Sequence, residues 1–333
     1  MQSITEILKG FDQPCPCGKK HTSALDMLVS GPGALARLPE LLARYDAKKP
    51  FLLADRNTFA AAGGRVCEIL TQAGFGYASY VFPDERLEPD EHAVGAAVMH
   101  FDDSCDLILG VGSGVINDIG KILSRVSGRH YIIVGTAPSM DGYASATSSM
   151  AMDGLKVSLN SRCPDAIVGD TDILKNAPMH MLQAGLGDML AKYISLAEWR
   201  IAHLITGEYY CERVAALVRS ALDACVKNAD GLLRRDETAV QAVFDGLIIG
   251  GVAMAYAGVS RPASVEHYFS HVWDMRALEF GTPAELHGIQ CAIGTLAAVR
   301  LYEKLRTMTP DAEKARAYVE AFDYEAWAAQ LRA

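Results

Sequence analysis

Residues 106–121 read DLILGVGSGVINDIGK, and this stretch decides the fold. The apolar run at 106–110 is typical of a buried strand, and the glycines after it open a segment with helical spacing. Glycines let a ligand approach the backbone, and the N–H groups at a helix N-terminus attract phosphate. The usual dinucleotide fingerprint has glycine where this chain has Val115, and it follows the first strand of its domain. The turn is either a plain glycine-rich turn or a phosphate site, and its context favours phosphate.

The rest of the first half alternates in the same way. Strand-like runs lie at 50–54, 77–82, 106–110 and 131–135, and stretches with helical spacing separate them at 59–72, 91–101 and 115–126. This rhythm predicts βαβ units, and the right-handed crossover rule then favours a doubly wound, mostly parallel sheet. A last strand-like run at 165–170 ends this part, so we expect an α/β nucleotide-binding domain at residues 1–170.

Strand signals stop after residue 170, and Ala, Leu and Glu dominate the remainder. Amphipathic spacing predicts helices over 182–201, 211–229, 238–257 and 314–331. We therefore expect a second, helical domain at 171–333. The cleft between the two domains is the default position for a ligand site.

Composition excludes several classes of function. The 31 Lys and Arg against 40 Asp and Glu give a net charge of −9, which argues against a nucleic-acid partner. The longest charge-free apolar stretch, 246–260, is shorter than the ~20 residues that cross a bilayer, so we expect a core helix and no membrane partner. Eight scattered cysteines without an N-terminal signal peptide indicate reduced thiols in a cytoplasmic protein.

Two polar positions follow predicted strands. Asp55 ends the first strand-like run, where its carboxylate could bind nucleotide ribose hydroxyls or equally cap the next helix, and Arg56 beside it could accommodate a 2′-phosphate. The loop TAPSMDGYAS at 136–145 follows another strand. This loop is either a plain connection or a substrate lip with Asp141 and Ser145 as its polar groups.

A carboxylate and three histidines in the helical half suggest a metal site. Asp188 lies near the start of a predicted helix. His267 and His271 share one helical face at i and i+4, and His287 follows after a Gly-Thr-Pro loop. One carboxylate with two imidazoles suits a divalent ion that keeps a position open for substrate. The HExxH pattern is absent because position 268 is Tyr268, so spacing alone is a weak signal.

The segment CPCGKKH at 15–21 resembles half of a zinc knuckle. Its CxC spacing is not the usual CxxC, and no second pair lies near it in the sequence. The sequence therefore predicts no zinc site at this segment.

Taken in order, these motifs resemble the superfamily of iron-type alcohol dehydrogenases, glycerol dehydrogenases and dehydroquinate synthases. The sequence is most similar to the sn-glycerol-1-phosphate dehydrogenase branch. The resemblance covers about residues 28–296 and rests on GVGSGVINDIGK, TAPSMDGYAS, AGLGDMLAKY, SVEHYFSH and ELHG. The synthase branch is disfavoured, because Asp188 stands where that branch has glutamate and SMDGYAS stands where it has a Gly-Gly-Lys loop.

The resemblance implies NAD(P)H and one divalent metal ion as cofactors. It implies interconversion of dihydroxyacetone phosphate and sn-glycerol 1-phosphate, a small-molecule polyol phosphate. Two alternatives stay open: a dehydrogenase of an unphosphorylated polyol such as glycerol, and a catalytically silent homologue that acts as a binding protein. The silent alternative arises because few residues follow His287 for this branch, so that part of the helical core would depend on a neighbouring subunit. A homo-oligomer is expected.

The resemblance also gives individual residues roles. Asp188, His267 and His287 are expected to bind the metal, with zinc first and nickel or iron as alternatives. Asp188 and His271 are expected to be catalytic, and both contact the substrate together with Asp141. The cofactor is expected on Asp55, Gly114, Val115, Ile116, Asn117, Asp118, Thr136, Ala137, Pro138, Ser139 and Ser145.

A substrate phosphate needs a cation nearby, and the sequence offers Arg261, Lys192 and Lys121. Arg261 precedes a proline that can begin a helix, where the helix dipole also favours anions. A solvated Arg261, or one paired with Glu266, is the alternative. We take Arg261 as the substrate-binding candidate.

Overall fold

A computed structural model describes residues 14–258 and 266–332. Its N-terminal part holds a parallel sheet of β1 Met27–Gly31, β2 Pro50–Asp55, β3 Ala78–Phe82, β4 Leu107–Gly112, β5 His130–Gly135 and β8 Ala166–Asp170. The strand order in space is β1-β8-β5-β4-β2-β3. The predicted fold class, a doubly wound and mostly parallel sheet followed by helices, is confirmed.

Side chains of the central strands alternate between two apolar cores. Leu52 and Leu109 belong to the core on one face of the sheet. Phe51 and Ile108, their neighbours in sequence, belong to the core on the other face. A parallel sheet covered on both faces needs apolar residues at both sets of positions. This explains why these strands stand out in the sequence as continuous apolar runs.

Helices connect the parallel strands. They are α1 Leu38–Arg44, α2 Arg56–Thr58, α3 Gly64–Gln72, α4 Glu91–His100 and α5 Gly114–Ser127, and the short α6 Thr171–Leu174 follows the last strand, β8. A π-helical stretch, Phe59–Gly63, joins α2 to α3. The loop after β5 contains one 3-10 turn, Asp141–Ala144, and leads into an antiparallel hairpin of β6 Thr147–Met152 and β7 Leu155–Asn160.

The C-terminal region is helical, as predicted. Its helices are α7 Met179–Thr206, α8 Glu212–Leu232, α9 Glu237–Ala257, α10 Glu266–Phe280, α11 His287–Arg306, α12 Ala312–Glu320 and α13 Tyr324–Arg332. The single helix predicted over 314–331 is wrong, because Asp323 accepts the Ala326 N–H at 2.9 Å and starts a new helix. Residues up to Leu296 and residues from Ala297 onward form two compact units. A domain boundary at residue 170 stays a prediction.

Helix α9 is the central helix of the helical core. Its Phe244 packs so tightly against β8 that no side-chain carbon would fit at Gly169. Among the described residues, α9 alone is long and apolar enough to cross a membrane by length and composition, and 72% of its most apolar window is buried inside the protein. This is the core helix that the sequence predicted.

Candidate active site

Close contact between two helices builds the site. Helix α7 presents Asp188 and Lys192, one turn apart and both fully buried. On the same helix, Gly187 lies against the Gly288 carbonyl of α11, and Gly288 lies against the Ala184 carbonyl. A side-chain carbon at either glycine would collide with backbone, so glycine is required at both positions. The backbones therefore approach closely enough to bring His287, at the start of α11, next to Asp188.

Four potential metal ligands converge there. Donor atoms of Asp188, His267, His287 and Cys291 all lie within 4.8 Å of one another. His267 Nε2 is 3.8 Å from Asp188 Oδ1, and the two imidazole ring centres are 4.9 Å apart. The three ligands expected from the resemblance are thus brought together from α7, α10 and α11.

Cys291 was not expected in this group. It is buried one turn after His287 on α11, and its Sγ lies 3.6 Å from His287 Nε2. Burial raises the pKa of the Cys291 thiol. The sequence did carry a signal, since HGIQC at 287–291 has ligand types at i and i+4.

Hydrogen bonds orient the converging side chains. His267 Nδ1 lies 2.9 Å from Glu266 Oε1, which leaves Nε2 for the cluster. Asp188 Oδ2 accepts the Asp141 N–H at 2.8 Å. His287 Nδ1 lies 3.1 Å from the Ser270 hydroxyl. Metal-binding histidines and carboxylates in proteins are held by such outer partners. The nitrogen, oxygen and sulfur donors fit a divalent ion of zinc type.

The charge of this buried region also fits a cation. Carboxylates of Asp141, Asp188 and Glu266 surround one ammonium, Lys192, whose Nζ lies 2.6 Å from Asp141 Oδ2 and 3.5 Å from Asp188 Oδ1. Burial alone would lower the pKa of Lys192, but Asp141 and Asp188 raise it above its ordinary value. Burial and the neighbouring His267 lower the pKa of His287 to about 4, so its imidazole is neutral at pH 7. These described groups therefore carry excess negative charge, which a divalent ion would offset.

His271 lies one turn beyond His267 on α10 and is half-buried. Burial and the charge of His267 lower the pKa of His271. Its imidazole is therefore neutral near pH 7 and can accept a proton.

The glycine-rich turn lies at the carboxyl end of β4, where α5 begins. The N–H of Asn117 donates to the Ser113 carbonyl at 2.9 Å, so the N–H groups of Gly114, Val115 and Ile116 precede the helical ladder. The Asn117 side chain donates to the Gly142 carbonyl at 3.1 Å. Asn117 thus holds the neighbouring loop, and the N–H groups available for a diphosphate are those of residues 114–116.

Two other expected cofactor residues also have structural partners. Asp55 Oδ1 accepts the Thr58 N–H at 2.9 Å while Thr58 Oγ1 accepts the Asp55 N–H at 3.0 Å, which is a capping box. The N-cap interpretation of Asp55 is confirmed, and its position at the carboxyl end of β2 keeps it on the same sheet edge as Gly114. Ser145 Oγ accepts from Lys121 Nζ at 3.0 Å.

The remaining candidates are Lys121 and Asp118, the loop residues 136–139, and Arg261. Lys121 is fully buried and also donates to the Gly142 and Thr147 carbonyls, while Asp118 Oδ1 lies 3.5 Å from its Nζ. Thr136, Ala137, Pro138 and Ser139 are buried in the loop that leaves β5 at the same sheet edge. Arg261 lies outside the described residues.

Comparison with known proteins identifies the family of the chain. The profile of a family described as iron-containing alcohol dehydrogenase matches residues 29–178. A glycerol-1-phosphate dehydrogenase (NAD(P)+) from Halalkalibacterium halodurans is 33% identical over 330 residues, covering 98% of this chain and 80% of the relative. One of the same name from Bacillus subtilis is 32% identical over 285 residues, covering 84% of this chain and 72% of the relative.

Solved structures show the same fold. Glycerol dehydrogenase from Schizosaccharomyces pombe superposes with a TM-score of 0.70 at 21% identity, covering 85% of this chain and 73% of that chain. A probable glycerol dehydrogenase from Sinorhizobium meliloti gives 0.67 at 22% identity, covering 89% and 80%. The resemblance stated from the motifs is confirmed.

Proposed function

Because the chain belongs to the glycerol-1-phosphate dehydrogenase branch of the iron-containing alcohol dehydrogenase family, we propose that it is an NAD(P)-linked oxidoreductase. Its substrate pair is dihydroxyacetone phosphate and sn-glycerol 1-phosphate. The observation that carries this proposal is the convergence of Asp188, His267 and His287 at one buried point. Relatives with this name align along most of the chain, which supports the choice of substrate.

Asp188, His267 and His287 would hold the metal ion, with the Cys291 thiol as a neighbouring donor. Zinc is our first choice, and nickel and iron are alternatives. When bound, such an ion supplies Lewis-acid stabilisation of negative charge on the substrate oxygen.

Lys192 and Asp141 keep this ligand set in place. The Lys192 ammonium bridges the Asp141 and Asp188 carboxylates, and the Asp141 N–H fixes the second oxygen of Asp188. Asp188 is thus oriented by two contacts before any substrate arrives, which is the preorganisation that catalysis needs. We assign the proton of the substrate hydroxyl to His271, whose lowered pKa leaves a neutral imidazole.

The cofactor is proposed to bind along the carboxyl edge of the sheet. The N–H groups of Gly114, Val115 and Ile116 would receive its diphosphate, and Asp55 its ribose. The loop from Thr136 to Ser139 follows the next strand at that edge and would line the nicotinamide end. When bound, the cofactor supplies or accepts the hydride.

The substrate phosphate is assigned by elimination among three cations. Lys121 is buried and donates to loop carbonyls, and Lys192 is held by two carboxylates. Both ammonium groups are therefore already engaged and are poor candidates for binding a phosphate dianion. Arg261 therefore stays our candidate for that contact.

A cytoplasmic location completes the proposal, because eight scattered cysteines in a chain of this size are typical of reduced thiols. The homo-oligomer expected from the sequence stays a prediction.

The ligand set is tested by removing one imidazole. His267→Ala should lose the metal ion bound at this site and the reduction of dihydroxyacetone phosphate together, because the two remaining expected ligands hold the ion poorly. His180→Ala, at an exposed position on α7, is the control and should keep both. A His267→Ala protein with wild-type activity would contradict the proposed function.

A further inference from the structure

A second cluster of metal-ligating side chains lies outside the candidate active site and shares no residue with it. It consists of Cys15, Cys17, His21 and Cys211. We propose that these four residues bind a zinc ion in a closed, tetrahedral structural site. The proposal goes beyond the dehydrogenase activity and does not depend on it.

The distances within the cluster match a tetrahedral zinc site. All four donor atoms lie within 4.8 Å of one another. Cys15 Sγ is 3.6 Å from Cys211 Sγ, and His21 Nε2 is 3.4 Å from Cys17 Sγ and 3.5 Å from Cys211 Sγ. Zinc–sulfur bonds of about 2.3 Å and zinc–nitrogen bonds of about 2.0 Å place neighbouring ligand atoms about 3.5–3.8 Å apart in a tetrahedron. Three of the six pairs of donor atoms already lie at these separations, and the other three pairs lie within 4.8 Å.

The imidazole of His21 is oriented for a metal. Its Nδ1 lies 2.8 Å from the Tyr256 carbonyl, which can only accept, so Nδ1 carries the proton. The lone pair of Nε2 is therefore directed at the thiols. Metal-bound histidines use this arrangement, with the second nitrogen donating to a carbonyl or carboxylate. His21 is only 1% exposed, so the ring is held in this position.

Groups near the cluster stabilise negative charge on two of its sulfur atoms. Cys211 is the N-cap residue of α8, where the positive end of the helix dipole stabilises negative charge. The Tyr209 hydroxyl lies 3.3 Å from Cys17 Sγ, and the Lys19 ammonium lies 3.5 Å from the centre of the Tyr209 ring. Three thiolates with one Zn²⁺ carry one net negative charge, which these groups can balance.

The cluster links parts of the chain that are far apart in sequence. Residues 14–26 contain no helix or strand, while Cys211 and Tyr256 belong to the helical region. Four protein ligands leave no open position for substrate, so the site is structural. Zinc would fasten the segment before β1 to α8, and its binding free energy would add to folding stability. The sequence predicted no zinc site because no second pair of ligands lies near the CxC segment. The third thiol, Cys211, lies 196 residues from Cys15.

The test counts zinc in full-length protein whose active-site ligands are removed. The double variant His267→Ala/His287→Ala should retain one zinc ion per chain by elemental analysis. Adding Cys17→Ser should remove that ion and lower Tm. Adding Cys67→Ser instead, at a half-buried cysteine outside the cluster, should leave the zinc content unchanged. A double variant without zinc would overturn the proposal, and so would zinc that is retained after Cys17→Ser is added.

X-ray absorption at the zinc edge keeps the test decisive if Cys17→Ser fails to fold. In the double variant we expect three sulfur neighbours and one nitrogen neighbour, with sulfur at about 2.3 Å. Oxygen-dominated coordination would contradict the site. A disulfide between Cys15 and Cys211, found by thiol counting in protein prepared without reductant, would also overturn it.

Discussion

Replacing Lys192 with methionine tests the buried charge network at the active site. The Lys192 ammonium is fully buried, and it lies 2.6 Å from Asp141 Oδ2 and 3.5 Å from Asp188 Oδ1. Lys192→Met keeps most of the side-chain volume but leaves two carboxylates buried without their cation. Removing one partner of a buried pair costs about 3–5 kcal/mol. For a domain of this size, that loss lowers Tm by roughly 5 °C or more.

Lys175→Met is the matched control. Lys175 also pairs with two carboxylates, at 2.9 Å from Asp172 and 2.6 Å from Glu237, but its side chain is 28% exposed. Water screens such pairs, so this substitution should lower Tm much less than Lys192→Met does. The assay is thermal unfolding of chelator-treated protein at pH 7.5. The chelator removes any bound ion that would otherwise compensate the charge of Asp188. Equal Tm losses in the two variants would refute the buried-charge argument.

The pH dependence gives this prediction a sign. Burial raises the pKa of Asp141, but the charge of Lys192 lowers it by more. The pKa of Asp141 is therefore lowered in the folded protein. A lowered carboxyl pKa stabilises the protein above the unfolded pKa, and that stability is lost as pH falls through the folded value. Without Lys192, burial dominates and Asp141 is protonated more readily on folding. The deficit of Lys192→Met should therefore shrink as pH falls toward 5.

Four further changes test other parts of the structure. Gly288→Ala should push α11 away from α7 and lower the metal content. Gly95→Ala is the control, because a side-chain carbon at that position meets open space. Equal metal content of the two variants by elemental analysis would contradict the close-packing argument. Asp55→Asn keeps an N-cap, so it should change Tm little but weaken NAD(P)H binding by fluorescence titration; unchanged affinity removes Asp55 from the cofactor site. Burial raises the pKa of Asp245 to about 6, so Asp245→Asn should raise Tm above pH 6 and change it little near pH 4; no gain above pH 6 contradicts this. Arg261→Ala should lower kcat/KM for dihydroxyacetone phosphate only, by an amount that corresponds to about 2–4 kcal/mol of transition-state stabilisation. An equal loss with dihydroxyacetone would mark a structural role.

The sheet could be predicted because its strands are buried on both faces. Runs at 50–54, 106–110 and 131–135 became β2, β4 and β5, since a covered parallel strand must be apolar at successive positions. Strand β1 at the sheet edge is short and was not predicted. The hairpin of β6 and β7 is also absent from the sequence prediction: β6 (TSSMAM) has no regular pattern, whereas β7 (LKVSLN) does alternate apolar and polar residues and carries a strand signal that the prediction missed.

The candidate sites depend on contacts that sequence spacing does not contain. Histidine spacing alone was a weak signal, and the shared motifs of the family selected His267 and His287 from the other histidines. The role of Gly187 and Gly288 becomes visible only when α7 and α11 are seen to touch. Cys211 could not be paired with the CxC segment, because nothing local links residues 196 positions apart.

The most direct test is NAD(P)H oxidation by one preparation of metal-loaded protein, offered dihydroxyacetone phosphate and dihydroxyacetone in parallel. We predict turnover of the phosphorylated substrate with a kcat/KM at least about 100-fold higher, the scale of one charge-assisted phosphate contact. We also predict that chelation abolishes this turnover and that added divalent metal restores it. Equal turnover of both substrates would contradict the phosphate assignment, and no turnover of either would contradict the dehydrogenase itself.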